Sequence, residues 1–163
     1  MAVVLWVHFA TVVAAFALTE VDQRQHRLPD GLTLGLWSVT ALATLWLAVA
    51  HGLSSIAQSA VVGSALTVLA LWLLAELPGR PMGFGDVKLG GALGMQVAWY
   101  GEDLWWSSLV IAFFSGGVFS LVQWLRGRLG PRDPIAFGPF LLLGWFSVIA
   151  LTAHSRSLLA ETI

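Results

Sequence analysis

Residues Leu104–Leu125 read LWWSSLVIAFFSGGVFSLVQWL, 22 residues without a single charge, closed by Arg126 and Arg128. A helix crossing the hydrocarbon core of a bilayer needs about 20 mostly apolar residues. This stretch meets that length and then stops at cations, as a membrane span does. Working outward, five more apolar runs appear: Met1–Leu18, Leu32–Ala50, Ile56–Leu77, Val87–Tyr100 and Ile135–Ala153. Val87–Tyr100 is short, because 14 residues at 1.5 Å each give about 21 Å. It must borrow from a flank or lie where the surrounding protein is wet.

The whole chain agrees with that reading. Of its 163 residues, 58% are hydrophobic and 10% charged, and mean hydropathy is +0.83. A soluble domain carries about 25% charged residues. The expected fold is therefore all-α, a polytopic membrane protein of about six spans, with residues 1–163 forming one domain and no internal repeat. The net charge of −1 lacks the basic excess of a nucleic-acid binder, so none is expected as a partner. The apolar content argues against disorder. With no cysteine, disulfides, thiolate metal sites and thiol catalysis are excluded.

Charge also sets an orientation. The first, third and fifth connections carry Arg24, Arg27, Arg80, Lys88, Arg126, Arg128 and Arg132, whereas the tail carries only Arg156. Cytoplasmic loops hold the excess of Lys and Arg. The odd connections then face the cytoplasm and both termini lie outside. Ala15–Ala17 imitates a signal-peptidase site, but a signal peptide has cations before its apolar core. Here the first cation, Arg24, comes after it. The first helix reads as retained.

Acidic residues near a membrane core are costly, and this makes them informative. Glu102, Asp103 and Glu161 fall in an outer loop and the tail, and Asp133 in a Gly/Pro/Arg turn; all four read as solvated. Glu76 reads as an interfacial partner of Arg80. Asp22 and Asp86 differ. Asp22 ends the first, inward-running span. Asp86 closes Gly83-Phe84-Gly85-Asp86 at the start of the fourth, outward-running span. Topology alone brings both to one cytoplasmic level. Gly83 and Gly85 permit positive φ and close backbone approach, and an extended peptide could lie there by main-chain hydrogen bonds.

Two adjacent carboxylates cannot both ionise cheaply, so they share a proton and titrate as a pair. The ionised member can activate water and the protonated member can donate to a carbonyl or leaving amine. Asp86, near a helix N-terminus, reads as the resting base, and Asp22, near a C-terminus, as the resting acid. Arg24 and Lys88 lie two residues from these aspartates, a spacing that does not put helical side chains face to face. On spacing alone, Gly-x-Gly-Asp reads equally as a glycine-rich turn with an N-cap aspartate. Two other functions also remain at this point. One is a cation-coupled transporter using the two acids; the other is a non-catalytic scaffold for a filament system.

Three motifs together narrow the choice. Gly83-Phe84-Gly85-Asp86-Val87-Lys88-Leu89 resembles the Gly-x-Gly-Asp box of the type IV prepilin peptidases. Asp22, followed by Arg24, Arg27, Leu28, Pro29 and Asp30, resembles that family's first aspartate box. Ala136-Phe137-Gly138-Pro139-Phe140, with Gly144, resembles its closing Pro-Phe-Gly-Pro-Phe signature, with Ala136 replacing the first proline. The resemblance implies an intramembrane aspartyl peptidase with Asp22 and Asp86 as its catalytic pair and no metal or cofactor. It implies prepilin or pseudopilin precursors as substrates, cut at the cytoplasmic face of the inner (plasma) membrane. It also implies the compact form without the Cys-rich methyltransferase region. No oligomeric state follows.

The remaining features read as structural. Gly90, Gly91 and Gly94, and Ser115, Gly116, Gly117 and Ser120, suggest tight helix packing. Trp6, Trp99, Trp105, Trp106 and Trp124 fit aromatic belts, while Trp37, Trp46, Trp72 and Trp145 face lipid or core. His8 reads as a buried hydrogen-bonded residue and His26 as a solvated one. Pro139 suggests a kink or a loop entering the membrane.

Overall fold

The computed structural model describes residues 2–25, 30–77, 82–128, 130 and 135–161, with side chains at 3–14, 31–77, 82–128, 130 and 135–154. Among these residues there are six helices and no strand: α1 (Ala2–Gln25), α2 (Asp30–His51), α3 (Ser54–Ala75), α4 (Phe84–Val97), α5 (Leu104–Leu125) and α6 (Gly138–Glu161). Three stretches, Gly31–His51, Ser54–Ala75 and Leu104–Leu125, are each long and apolar enough to cross a membrane. The architecture is an all-helical, polytopic membrane protein. Its exterior is apolar, with Trp6, Phe114, Val49 and Leu125 each at least 70% exposed, as suits side chains that meet lipid.

The short fourth helix is the centre of the molecule. α4 packs against α2, α3, α5 and α6, and from Asp86 to Val97 only Lys88 is more than marginally exposed. Protein, not lipid, surrounds it, so it does not have to match the hydrocarbon thickness.

Glycines bring α3 and α4 together. A Cβ built on Gly63 would fall 2.7 Å from Ala98 Cβ, and one on Gly94 would fall 2.8 Å from Thr67 Cβ. Substituents at Gly90 and Gly91 would collide with Leu71, and with Trp37 and Val68. Ser64 Oγ donates to the Gly91 carbonyl at 3.0 Å across the same contact. Without an aqueous hydrophobic effect between helices, such close backbone approach is what holds them. On α5 only half of the expected pair packs: Gly116 lies under Phe137 and Phe140, whereas Gly117 faces open space.

Several helix ends differ from the sequence expectation. α1 continues to Gln25, so Arg24 is helical, and Arg156 also lies within a helix. Backbone hydrogen bonding is still favourable past the hydrocarbon edge, where charged side chains reach water. α6 begins at Gly138, and Pro139 is its second residue. The Phe137 carbonyl already accepts from Phe140 and Leu141. A proline in a first turn lacks only an N–H that would have no helical partner, so it caps the helix and does not kink it. Trp99 is core, 8% exposed, and donates to Thr44 Oγ1 at 2.9 Å. Trp6, Trp106 and Trp124 are exposed as belt residues would be.

Candidate active site

Asp86 is the third residue of α4, after an extended Gly83 (φ −74°, ψ 146°) whose carbonyl accepts the Asp86 N–H at 3.1 Å. Neither motif glycine serves by a left-handed conformation, because positive φ occurs at Gly52 and Gly127 among the described glycines. Gly85 is helical. Gly83 instead leaves room: a Cβ there would stand 3.8 Å from Asp86 Oδ2.

Asp86 is only 6% exposed. The other acids with described side chains, Glu76, Glu102 and Asp103, are exposed. Glu102, in the connection between α4 and α5, accepts from Ser59 at 3.1 Å. Arg80, the partner expected for Glu76, lies outside the described residues, as do His26, Arg27, Leu28, Pro29, Arg132 and Asp133.

The third motif comes to the same place. Gly138 opens α6 beside Asp86, and a Cβ on it would stand 3.5 Å from Oδ1. Two side-chain-free residues, Gly83 and Gly138, thus flank the carboxyl group. The N-terminal ends of α4 and α6 meet there, an arrangement that favours negative charge. Pro139 fixes the first turn of α6 behind Gly138. Phe137 packs on Phe113 with ring centroids 4.8 Å apart, and Phe140 on Phe119 at 5.4 Å. Further along α6, Gly144 lets the helix lie against the Ser108 carbonyl of α5. The Lys88 ammonium stands 5.8 Å over the Phe84 ring, and the Lys88 carbonyl accepts from the Trp37 indole of α2.

The side chain of Asp22 lies outside the described residues, but its helix does not. α1 runs antiparallel to α4: His8 Nε2 and the Tyr100 hydroxyl share a hydrogen bond of 2.7 Å, and one turn inward Thr11 meets Gln96. From that crossing, position 22 lies eleven residues along α1, about 16 Å, and Asp86 ten residues back along α4, about 15 Å. Measured along their own helices, the two backbone positions thus stand about equally far from the Thr11–Gln96 hydrogen bond. Eleven residues also complete three turns to within about 20°, so position 22 falls on the face of α1 that Thr11 occupies.

Gln96 was not singled out by the sequence reading, yet it is fully buried and joins four helices. Its Nε2 donates to Thr11 of α1 at 2.9 Å and to Thr40 of α2 at 3.0 Å, while Oε1 accepts from Trp145 of α6 at 3.1 Å. A lone amide in the middle of an apolar span was the available signal. His8 is half-buried against Trp99, Tyr100 and Trp145. No cluster of three His, Asp or Glu that could hold a metal occurs among the described residues.

A bundle of apolar helices with a buried aspartate at a glycine-flanked helix start defines the chain as a polytopic membrane protein with a candidate acidic site. The sequence pattern of the type IV leader peptidase family matches residues 9–155, and the chain belongs to that family. It is 35% identical over 143 residues to a prepilin leader peptidase/N-methyltransferase of Burkholderia pseudomallei (strain 1026b), covering 83% of this chain and 43% of the relative. It is 34% identical over 148 residues to the protein of that name in Pectobacterium carotovorum subsp. carotovorum, covering 86% and 49%. The corresponding figures for Dichelobacter nodosus are 34% over 142 residues, covering 82% and 44%. The chain thus spans less than half the length of these relatives. No solved structure matches it.

Proposed function

We propose that this chain is an aspartic endopeptidase of the plasma membrane that removes the leader from type IV prepilin or pseudopilin precursors. Residues 1–163 act as one membrane domain, with both termini outside and the site at the cytoplasmic face. Asp86 and Asp22 form the catalytic pair, and no metal or cofactor takes part. The observation that carries this reading is the buried Asp86 between Gly83 and Gly138, which joins two separate motifs of the family at one carboxyl group. The similar distance of positions 22 and 86, along α1 and α4, from the Thr11–Gln96 hydrogen bond supports the pair.

In the proposed reaction, the ionised Asp86 takes a proton from water as the oxygen attacks the scissile carbonyl. Asp22 donates its proton to that carbonyl oxygen, and the tetrahedral intermediate collapses with proton transfer to the leaving amine. The protein adds positioning and a site of low dielectric, where a charge interacts more strongly than in water. Gly83 and Gly138 put no side chain against the Asp86 carboxyl group, so an extended peptide backbone has the least to displace there.

Co-expression with a prepilin-class precursor, a short charged leader ahead of a hydrophobic helix, tests the activity. Mass spectrometry of the product should show a mature N-terminus only when this chain is present. Uncut precursor beside abundant, membrane-inserted chain would overturn the proposal.

A further inference from the structure

Gln96 has no place in the chemistry proposed above, yet its environment is the most specific in the bundle. A primary amide offers two N–H donors and a carbonyl oxygen. Here both N–H groups are spent, on Thr11 of α1 and Thr40 of α2, and the oxygen accepts from Trp145 of α6. An indole N–H can only donate, which fixes which end of the amide faces α6. Thr11 in turn donates to the Val7 carbonyl at 2.9 Å. Apolar contacts nearby, such as the cluster of Val7, Ala43, Met95 and Trp99, are not directional and tolerate sliding. The amide does not. If α1 slid by one residue, about 1.5 Å, buried polar groups would lose partners where no water can replace them. Among the described residues, His8 of α1 also bonds to Tyr100, which lies in the turn after α4.

We propose that Gln96 is a positioning residue, which through Thr11 sets the axial register of α1 against α4 and so holds Asp22 level with Asp86. The proposal rests on the reading of Asp22 and Asp86 as the catalytic pair. Register matters to that pair because a misplacement of about 1 Å can cost on the order of 100-fold in rate.

The test uses the full chain in lipid and a purified prepilin-class precursor. Gln96→Leu and Thr11→Val should each lower kcat by about 10- to 100-fold, with KM nearly unchanged, and Thr11→Ser should restore it. Thr40→Val removes an equally buried partner of the same amide, but one on α2. It should leave kcat within about threefold, the scale of one interhelical hydrogen bond. Equal losses from Thr11→Val and Thr40→Val, at matched folded fraction, would reduce Gln96 to a stabilising residue and overturn the proposal. A second readout needs no activity. The chain has no cysteine, so the double variant Asp22→Cys, Asp86→Cys can be joined by a short bis-thiosulfonate reagent. The cross-link should form with Gln96 present and fail with Gln96→Leu. Cross-linking that is indifferent to Gln96 would overturn the positioning role and leave the catalytic pair standing. No cross-link even with Gln96 present would overturn the pair, and the positioning role with it.

Discussion

Gly144→Ala should destabilise the bundle where α5 crosses α6. A Cβ at this position would collide with the Ser108 carbonyl oxygen and lie 3.1 Å from its carbon and 3.3 Å from the Ala112 nitrogen. These are backbone atoms, so no side-chain rotation relieves the clash and the two helices must part. Overpacking of this kind costs about 3 kcal/mol at the upper end of its range. Replacing a helical glycine with alanine returns at most about 1 kcal/mol. The net loss is about 2 kcal/mol, or roughly 30-fold in the ratio of folded to unfolded chain. Gly117→Ala on α5 is the matched control, because nothing lies within 4 Å of its Cβ position. It should be neutral or stabilising by up to about 1 kcal/mol. Reversible unfolding by sodium dodecyl sulfate in mixed micelles, followed by circular dichroism, measures both. Gly144→Ala equal to or more stable than Gly117→Ala would refute the packing argument.

At the candidate site, Gly138→Ala should keep most activity, since its Cβ meets Asp86 Oδ1 at an ordinary 3.5 Å. Gly138→Val, whose methyls reach one bond further, should lose on the order of 100-fold in precursor cleavage while unfolding like the wild type in the same micelle titration. Topology is testable with single cysteines: Glu102→Cys should react with an impermeant maleimide added outside intact cells, and Arg128→Cys only in inverted vesicles. The reverse pattern would invert the orientation read from the charges.

Much of the architecture is legible because each apolar run has a length that a bilayer dictates. The Leu104–Leu125 span coincides with α5 to the residue. Helix ends were harder to read wherever a helix outlasts its apolar segment, as α1 does through Arg24 to Gln25. Which face a residue presents was less legible still. Trp99 and Trp106 look alike in sequence, near one expected span boundary, yet one is core and the other 51% exposed. Gly116 and Gly117 are adjacent and only one is packed. The motif residues Asp86 and Gly138 could be picked out, but their contact could not, because it depends on how α4 and α6 cross. Gln96 escaped notice because its meaning lies in Thr11, Thr40 and Trp145, partners 49 to 85 positions away.

The most direct test of the central claim is cleavage of a purified prepilin-class precursor by the wild type, Asp22→Asn and Asp86→Asn, each reconstituted in lipid at equal folded amount. The account predicts mature product from the wild type and a loss of at least about 100-fold from either variant, the contribution expected of a single acid or base. Near wild-type turnover by either variant would contradict it.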